Sequence, residues 1–169
     1  MVRVRRLDPA GGPEQGSYMG VGDGAEPARG DAEDEERMGR PTALLVEDEP
    51  DVRLVLALML ADELGPDAAV AMAEDGDRAI ELIDAGPLPD VVLIGLDLPG
   101  RSGVEVIRRI RASGGLGLIV VFSALATVDA DGVQAALGAG ADVVVPKPDV
   151  ARLREVLRRA PVLSGRRLQ

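Results

Sequence analysis

The stretch DVVLIGLDLPGRSG, Asp90 to Gly103, carries the main clue to the fold. Val91 to Ile94 are apolar without alternation, and Gly95 and Leu96 lead into a loop containing Pro99 and Gly100. A short apolar run bounded by turn residues predicts a strand buried on both faces, because a strand with one wet face would alternate. The pattern recurs on either side. TALLV from Thr42, LGLIVVFSA from Leu116 and ADVVVP from Ala141 read as further apolar strands, and AAVAMAE from Ala68 as a weaker one.

Helical spacing fills the gaps between these strands. DVRLVLALMLADELG places Val52, Val55, Leu56, Met59 and Leu60 on an inward stripe, with Asp51 as the expected cap and Gly65-Pro66 as the stop. DGDRAIELIDAG directs Ala79, Ile80, Leu82 and Ile83 inward. GVEVIRRIRASG and the short DGVQAALGAG follow, and DVARLREVLRRA closes with Val150, Leu153, Val156 and Leu157 on one side. Five strands alternating with five helices predict an α/β fold of three layers, a doubly wound five-stranded parallel sheet between helices.

The rest of the chain is of a different kind. Residues 1–41 are rich in Gly, Pro and acidic residues, including the run Asp31 to Glu36, and lack apolar periodicity. Such a segment cannot bury enough surface to offset its ordering entropy, so it reads as a disordered extension, and Met38 offers a second start before the folded region. Residues 42–160 form the expected domain and 161–169 a short tail. With only nine residues after the last helix, no output domain is expected to follow.

Composition narrows the chemistry. The chain has 169 residues, enough for one domain with a core, and that core is aliphatic because aromatics make up 1%. Cysteine and histidine are absent, which removes disulfides, thiolate metal sites and the usual general base. A net charge of −10 argues against a nucleic-acid binder, which needs a basic face. No segment has the about 20 apolar residues that span a bilayer, and MVRVRRLDPAGG lacks the apolar core of a secretory signal. A cytoplasmic protein is expected.

In open parallel sheets the working site lies at the carboxyl ends of the strands. Those ends carry Glu47 and Asp48, Gly95, Ser123 and Lys147. No Gly-rich phosphate cradle follows the first strand, which argues against a dinucleotide site. Two or three carboxylates suit Mg²⁺ with a phosphate, whose oxygens a Lys and a Ser would meet.

This set of residues resembles the receiver domain of bacterial two-component response regulators. LLVEDEPDVR is similar to that family's first strand and acidic pair, DVVLIGLDLPGRSG to its phosphorylation loop, VVFSALA to its switch strand and ADVVVPKP to its Lys-Pro end. The resemblance runs from Thr42 to about Ala160 and implies a (βα)5 flavodoxin-like receiver fold. It further implies Glu47, Asp48 and the main-chain carbonyl of Asp97 as Mg²⁺ ligands, with Ser123 and Lys147 as the phosphate contacts.

In that family three residues separate the phosphorylated Asp from Pro-Gly. Counting back from Pro99 puts the acceptor position at Gly95, and counting five on from Asp90 gives the same place. Glycine has no nucleophile. The resemblance therefore implies a pseudo-receiver with weakened Mg²⁺ binding that is not an enzyme. It would act independently of phosphorylation, by protein–protein interaction with a histidine kinase or another signalling protein, and form a homodimer through the last two helices. The expected working surface is the fourth helix, fifth strand and fifth helix. Val144 stands where the family often has an aromatic, which weakens the readout as well. Two other readings stand beside this one: a phospho-accepting receiver using Asp97 with Mg²⁺, and a small-molecule sensor in the space vacated at Gly95.

Overall fold

A computed structural model describes residues 40–124 and 129–159. The expected extension 1–41 lies outside the described residues except for its last two, and so does the expected tail 161–169. Five strands, β1 (Thr42–Val46), β2 (Ala69–Ala73), β3 (Val91–Ile94), β4 (Leu118–Ser123) and β5 (Val143–Pro146), alternate with five helices. The helices are α1 (Pro50–Leu64), α2 (Gly76–Ala85), α3 (Gly103–Ala112), α4 (Ala130–Ala139) and α5 (Val150–Arg158).

All neighbouring strands pair in parallel, in the order β2-β1-β3-β4-β5. Alternate residues of each strand point to opposite faces. Leu44, Val46, Val92, Ile94, Ile119 and Val121 join the core under α2, α3 and α4. Ala43, Leu45, Val91, Leu93, Val120 and Phe122 join the one under α1 and α5. Both faces are covered, which is why the strands are apolar without alternation.

The helix starts are chemically marked. Asp75, Asp129 and Asp149 each accept a hydrogen bond from a backbone N–H of the first turn. Ser102 and Glu105 form a reciprocal capping box on α3. The Ser102 backbone and hydroxyl, donating to the Glu105 carboxylate, hold its pKa below the ordinary value.

Three local expectations are corrected. Asp51 does not cap α1: Pro50 occupies the first helical position, so Glu49 is the cap residue and Asp51 sits in the first turn. Val55 is 65% exposed, because α1 is apolar on both sides and spacing could not choose its inner face. Leu56, Met59 and Leu60 are buried as expected, and Ala57 and Leu64 join them. Val150 is exposed at the first position of α5, while Leu153, Val156 and Leu157 are buried.

Glycine is required at position 103. A Cβ there would stand 2.1 Å from the Gly95 carbonyl oxygen and 2.9 Å from Leu96 Cα. This close approach seats the first turn of α3 against the loop that leaves β3, where Gly103 N–H donates to Leu96 O at 3.0 Å. Gly138, in α4, has nothing within 4 Å of an added Cβ. Gly103→Ala should therefore destabilise the fold by about 1–3 kcal/mol, whereas Gly138→Ala should be neutral or stabilise by about 0.5–1 kcal/mol. Urea unfolding of both variants checks the contrast, and equal midpoints would contradict it.

Candidate functional site at the carboxyl ends of the strands

The sheet ladder continues one residue past β1, β3 and β5. Glu47 N–H donates to Ala73 O at 3.1 Å, Gly95 N–H to Val46 O at 3.1 Å and Lys147 N–H to Ser123 O at 2.7 Å. These bonds bring Glu47, Gly95, Ser123 and Lys147 to one edge of the sheet. The order of strands reverses about β1, which opens the crevice where such sheets bind ligands.

The centre of the site is an ion pair. Lys147 Nζ lies 3.0 Å from Glu47 Oε1 and 2.8 Å from Oε2, so one ammonium serves both carboxylate oxygens. Glu47 is 2% exposed, yet the pair leaves it with satisfied hydrogen bonds. Lys147 Nζ also stands 5.9 Å from the centre of the Phe122 ring, within the range of a cation–π contact. The Lys147–Pro148 peptide bond is cis.

Ser123 is buried, and its Oγ accepts a hydrogen bond from Leu96 N–H at 3.3 Å. The hydroxyl expected to contact phosphate thus fixes the first residues after β3. Gly95 is buried beside it. A Cβ added to Gly95 would meet Leu98 Cδ2 at 3.7 Å and Val46 O at 3.9 Å, ordinary contact distances, so the position has room for a side chain.

Asp48 and Asp97 are exposed. Asp97 belongs to the loop 95–102, which is held at several points. Besides the bonds to Leu96, Gly76 N–H donates to Pro99 O at 3.2 Å, and Arg101 pairs with Asp77 at 3.3 Å. Of the carboxylates on the connections that leave β1 and β3, Glu47 is buried and engaged by Lys147, while Asp48 and Asp97 are exposed. Among the described residues no group of three or more His, Cys, Asp or Glu side chains is placed to hold a metal ion.

Three contributors had no clear signal in the sequence. Arg53, in the first turns of α1, donates from its guanidinium to the main-chain carbonyls of Glu47 and Asp48, tying down the β1–α1 connection. Phe122 is the only phenylalanine of the chain, and nothing in the pattern assigns it to Lys147. Leu98 covers Gly95 through a side-chain direction that no periodicity encodes. Val144 is partly buried and packs against the core under α2, α3 and α4.

Comparison with known proteins accords with this geometry. The model of the response regulator receiver domain matches residues 43–158. The DNA-binding response regulator MtrA of Mycolicibacterium smegmatis is 38% identical over 125 residues, covering 71% of this chain and 52% of the relative. The chain thus spans about half the length of the curated relatives it matches. Among solved structures, the receiver domain of the sensor histidine kinase PA1611 from Pseudomonas aeruginosa PAO1, with magnesium in its active-site cleft, is 28% identical. It gives a TM-score of 0.60 and covers 72% of this chain and 97% of that one. The response regulator TrrA of Thermotoga maritima, in complex with Mg²⁺-BeF, is also 28% identical, with a TM-score of 0.59 and coverage of 70% and 97%. No helix among the described residues is long and apolar enough to cross a membrane. The chain belongs to the response regulator receiver domain family of two-component signalling.

Proposed function

We propose that this receiver domain signals by docking to a protein partner, a histidine kinase or another signalling protein, without being phosphorylated and without enzymatic activity of its own. The observation that carries the reading is Gly95 at the end of β3, on a sheet edge whose lysine is already engaged by Glu47. On the alignment with the family's phosphorylation loop, Gly95 holds the acceptor position. Phosphoryl transfer requires a carboxylate oxygen there to form the new bond, and a glycine supplies none.

Receiver domains commonly bind Mg²⁺, and the structure of the PA1611 receiver holds it in the cleft. The donor set here does not fit that ion as it stands. Mg²⁺ takes one or two carboxylates with waters and phosphate oxygens in a near-octahedral shell. Glu47 offers both oxygens to Lys147, and the third acidic position is Gly95. Binding is accordingly weak in this reading, and no step of signalling passes through the metal.

Asp97 as a substitute acceptor has less support. Its loop is bonded to Ser123, to Gly103 and to Gly76, and in-line transfer tolerates displacements of only fractions of an ångström. The small-molecule reading draws no support from the two clefts among the described residues. One cleft lies between α2 and α3 beside Asp84 and Arg109, another between α1 and α5, and Gly95 lines neither. Residues at the expected output face, α4, β5 and α5, include the exposed Leu137 and Val150.

Incubation with Mg²⁺ and acetyl phosphate should leave the intact mass of the natural chain unchanged. Gly95→Asp, for which the site has room, should gain one phosphoryl group as the donor releases acetate. Modification of the natural chain, abolished by Asp97→Asn, would overturn the proposal. Lys147→Met strands the Glu47 carboxylate in its buried position and should lower stability by about 1–3 kcal/mol. Adding Glu47→Gln should recover part of that loss, because the remaining group carries no charge. Denaturant unfolding of the single and double variants measures both effects, and a double variant no better than the single would contradict the role given to the pair.

A further inference from the structure

Helix α1 is apolar on both sides. Its inner face enters the core, yet Leu54, Val55 and Leu58 on its outer side are 54%, 65% and 48% exposed. Beside them a cleft of about 320 Å³ runs between α1 and α5, lined by Val55, Leu58, Met59 and Val150, with Asp62 and Arg154 at one end. A helix apolar all round is normally covered on every side, and contiguous apolar surface marks an interaction site. Towards the opposite end α1 opens with acids: Glu49 and Asp51 are exposed, and no ion pair among the described residues engages either.

The chain itself supplies a complement to this face. α5 runs in the same direction as α1, since Val150 at its start lies beside Val55 and Leu58, while Arg154 and Arg158 farther along pair with Asp62 and Glu63. It closes on the cap residue Arg159, beyond the Asp62 end of the cleft. Two residues on stands Pro161, which cannot continue a helix. Val162 and Leu163 follow, then Ser164 and Gly165, then Arg166 and Arg167. Apolar groups thus come first and basic groups after, the order in which the cleft and the acids lie on the way back along α1. Length permits that path. From Arg159 an extended chain at about 3.3 Å per residue carries Leu163 about 13 Å and Arg167 about 26 Å, whereas the nine residues of α5 rise only about 13 Å.

We propose that the segment 161–169, which lies outside the described residues, folds back along α1 and covers this face, with Leu163 in the cleft and Arg166 and Arg167 against Glu49 and Asp51. A tether of a few residues makes the contact intramolecular, at an effective concentration of about millimolar, so modest apolar and charge contacts suffice to hold it. A partner that uses α1 must then displace the segment first. The proposal stands apart from the phosphorylation reading, because the mass change tested there does not depend on where the segment lies.

The chain has no cysteine, so Ser164→Cys gives a single anchor for a nitroxide spin label, read through the amide signals of the full chain. Compared with the reduced label, Leu54, Val55 and Leu58 should lose most of their intensity, and Leu137, on α4, should keep its own. Leu163→Asp, and separately Arg166→Glu with Arg167→Glu, should each return most of the lost intensity, and neither variant touches the sheet or the helices. Losses confined to the residues around Glu63 and Leu64 at the end of α1, or losses at Leu54 and Val55 that persist in either variant, would overturn the proposal. So would losses in an isotope-labelled natural chain mixed with the spin-labelled one, since those report a second copy on this face.

Discussion

A single ion pair joins positions 100 residues apart and organises the crevice: the Lys147 ammonium on both oxygens of Glu47. Burying a carboxylate to 2% exposure is costly unless a charge partner and good geometry offset the lost water. The parallel sheet supplies that geometry, because the ladder continues past β1 and β5 and brings both residues to the same edge. The pair in turn ties the end of β5 to the end of β1. Phe122, beneath the ammonium, adds a contact from β4.

Around this pair the remaining polar groups act on one another before they act on a ligand. Ser123 fastens Leu96, Arg53 holds the carbonyls of Glu47 and Asp48, and Gly103 lets α3 close on Gly95. In the proposed reading the receiver framework is kept while the exchange of a phosphoryl group is lost. In that reading Gly95 leaves the acceptor position without a nucleophile, and Lys147 already has an anion to neutralise.

Much of the fold was legible in the sequence for a simple reason. Strands buried on both faces must be apolar throughout, so Val91–Ile94 and Leu118–Phe122 stand out without any knowledge of their neighbours. The strand-end residues Glu47, Gly95, Ser123 and Lys147 followed from topology, since parallel order brings carboxyl ends together. Legibility failed where the deciding contact is tertiary. Val55 and Leu56 are equally apolar, and only the position of the sheet makes one outer and the other inner. The cap of α1 moved because Pro50 decides the first turn more strongly than the Asp51 carboxylate does. Neither the reach of Arg53 to two carbonyls nor the placement of Leu98 over Gly95 has a periodic signature.

In the proposed reading the crevice is complete without metal or phosphate. Amide spectra recorded during titration with Mg²⁺ and beryllofluoride test it most directly, since the structure of TrrA in complex with Mg²⁺-BeF shows that a receiver of this fold accepts that combination. The resonances of Glu47, Gly95, Leu96, Ser123 and Lys147 should not move in a saturable way. Saturable shifts confined to those residues would show that the crevice still takes metal and phosphoryl analogue, and would contradict it.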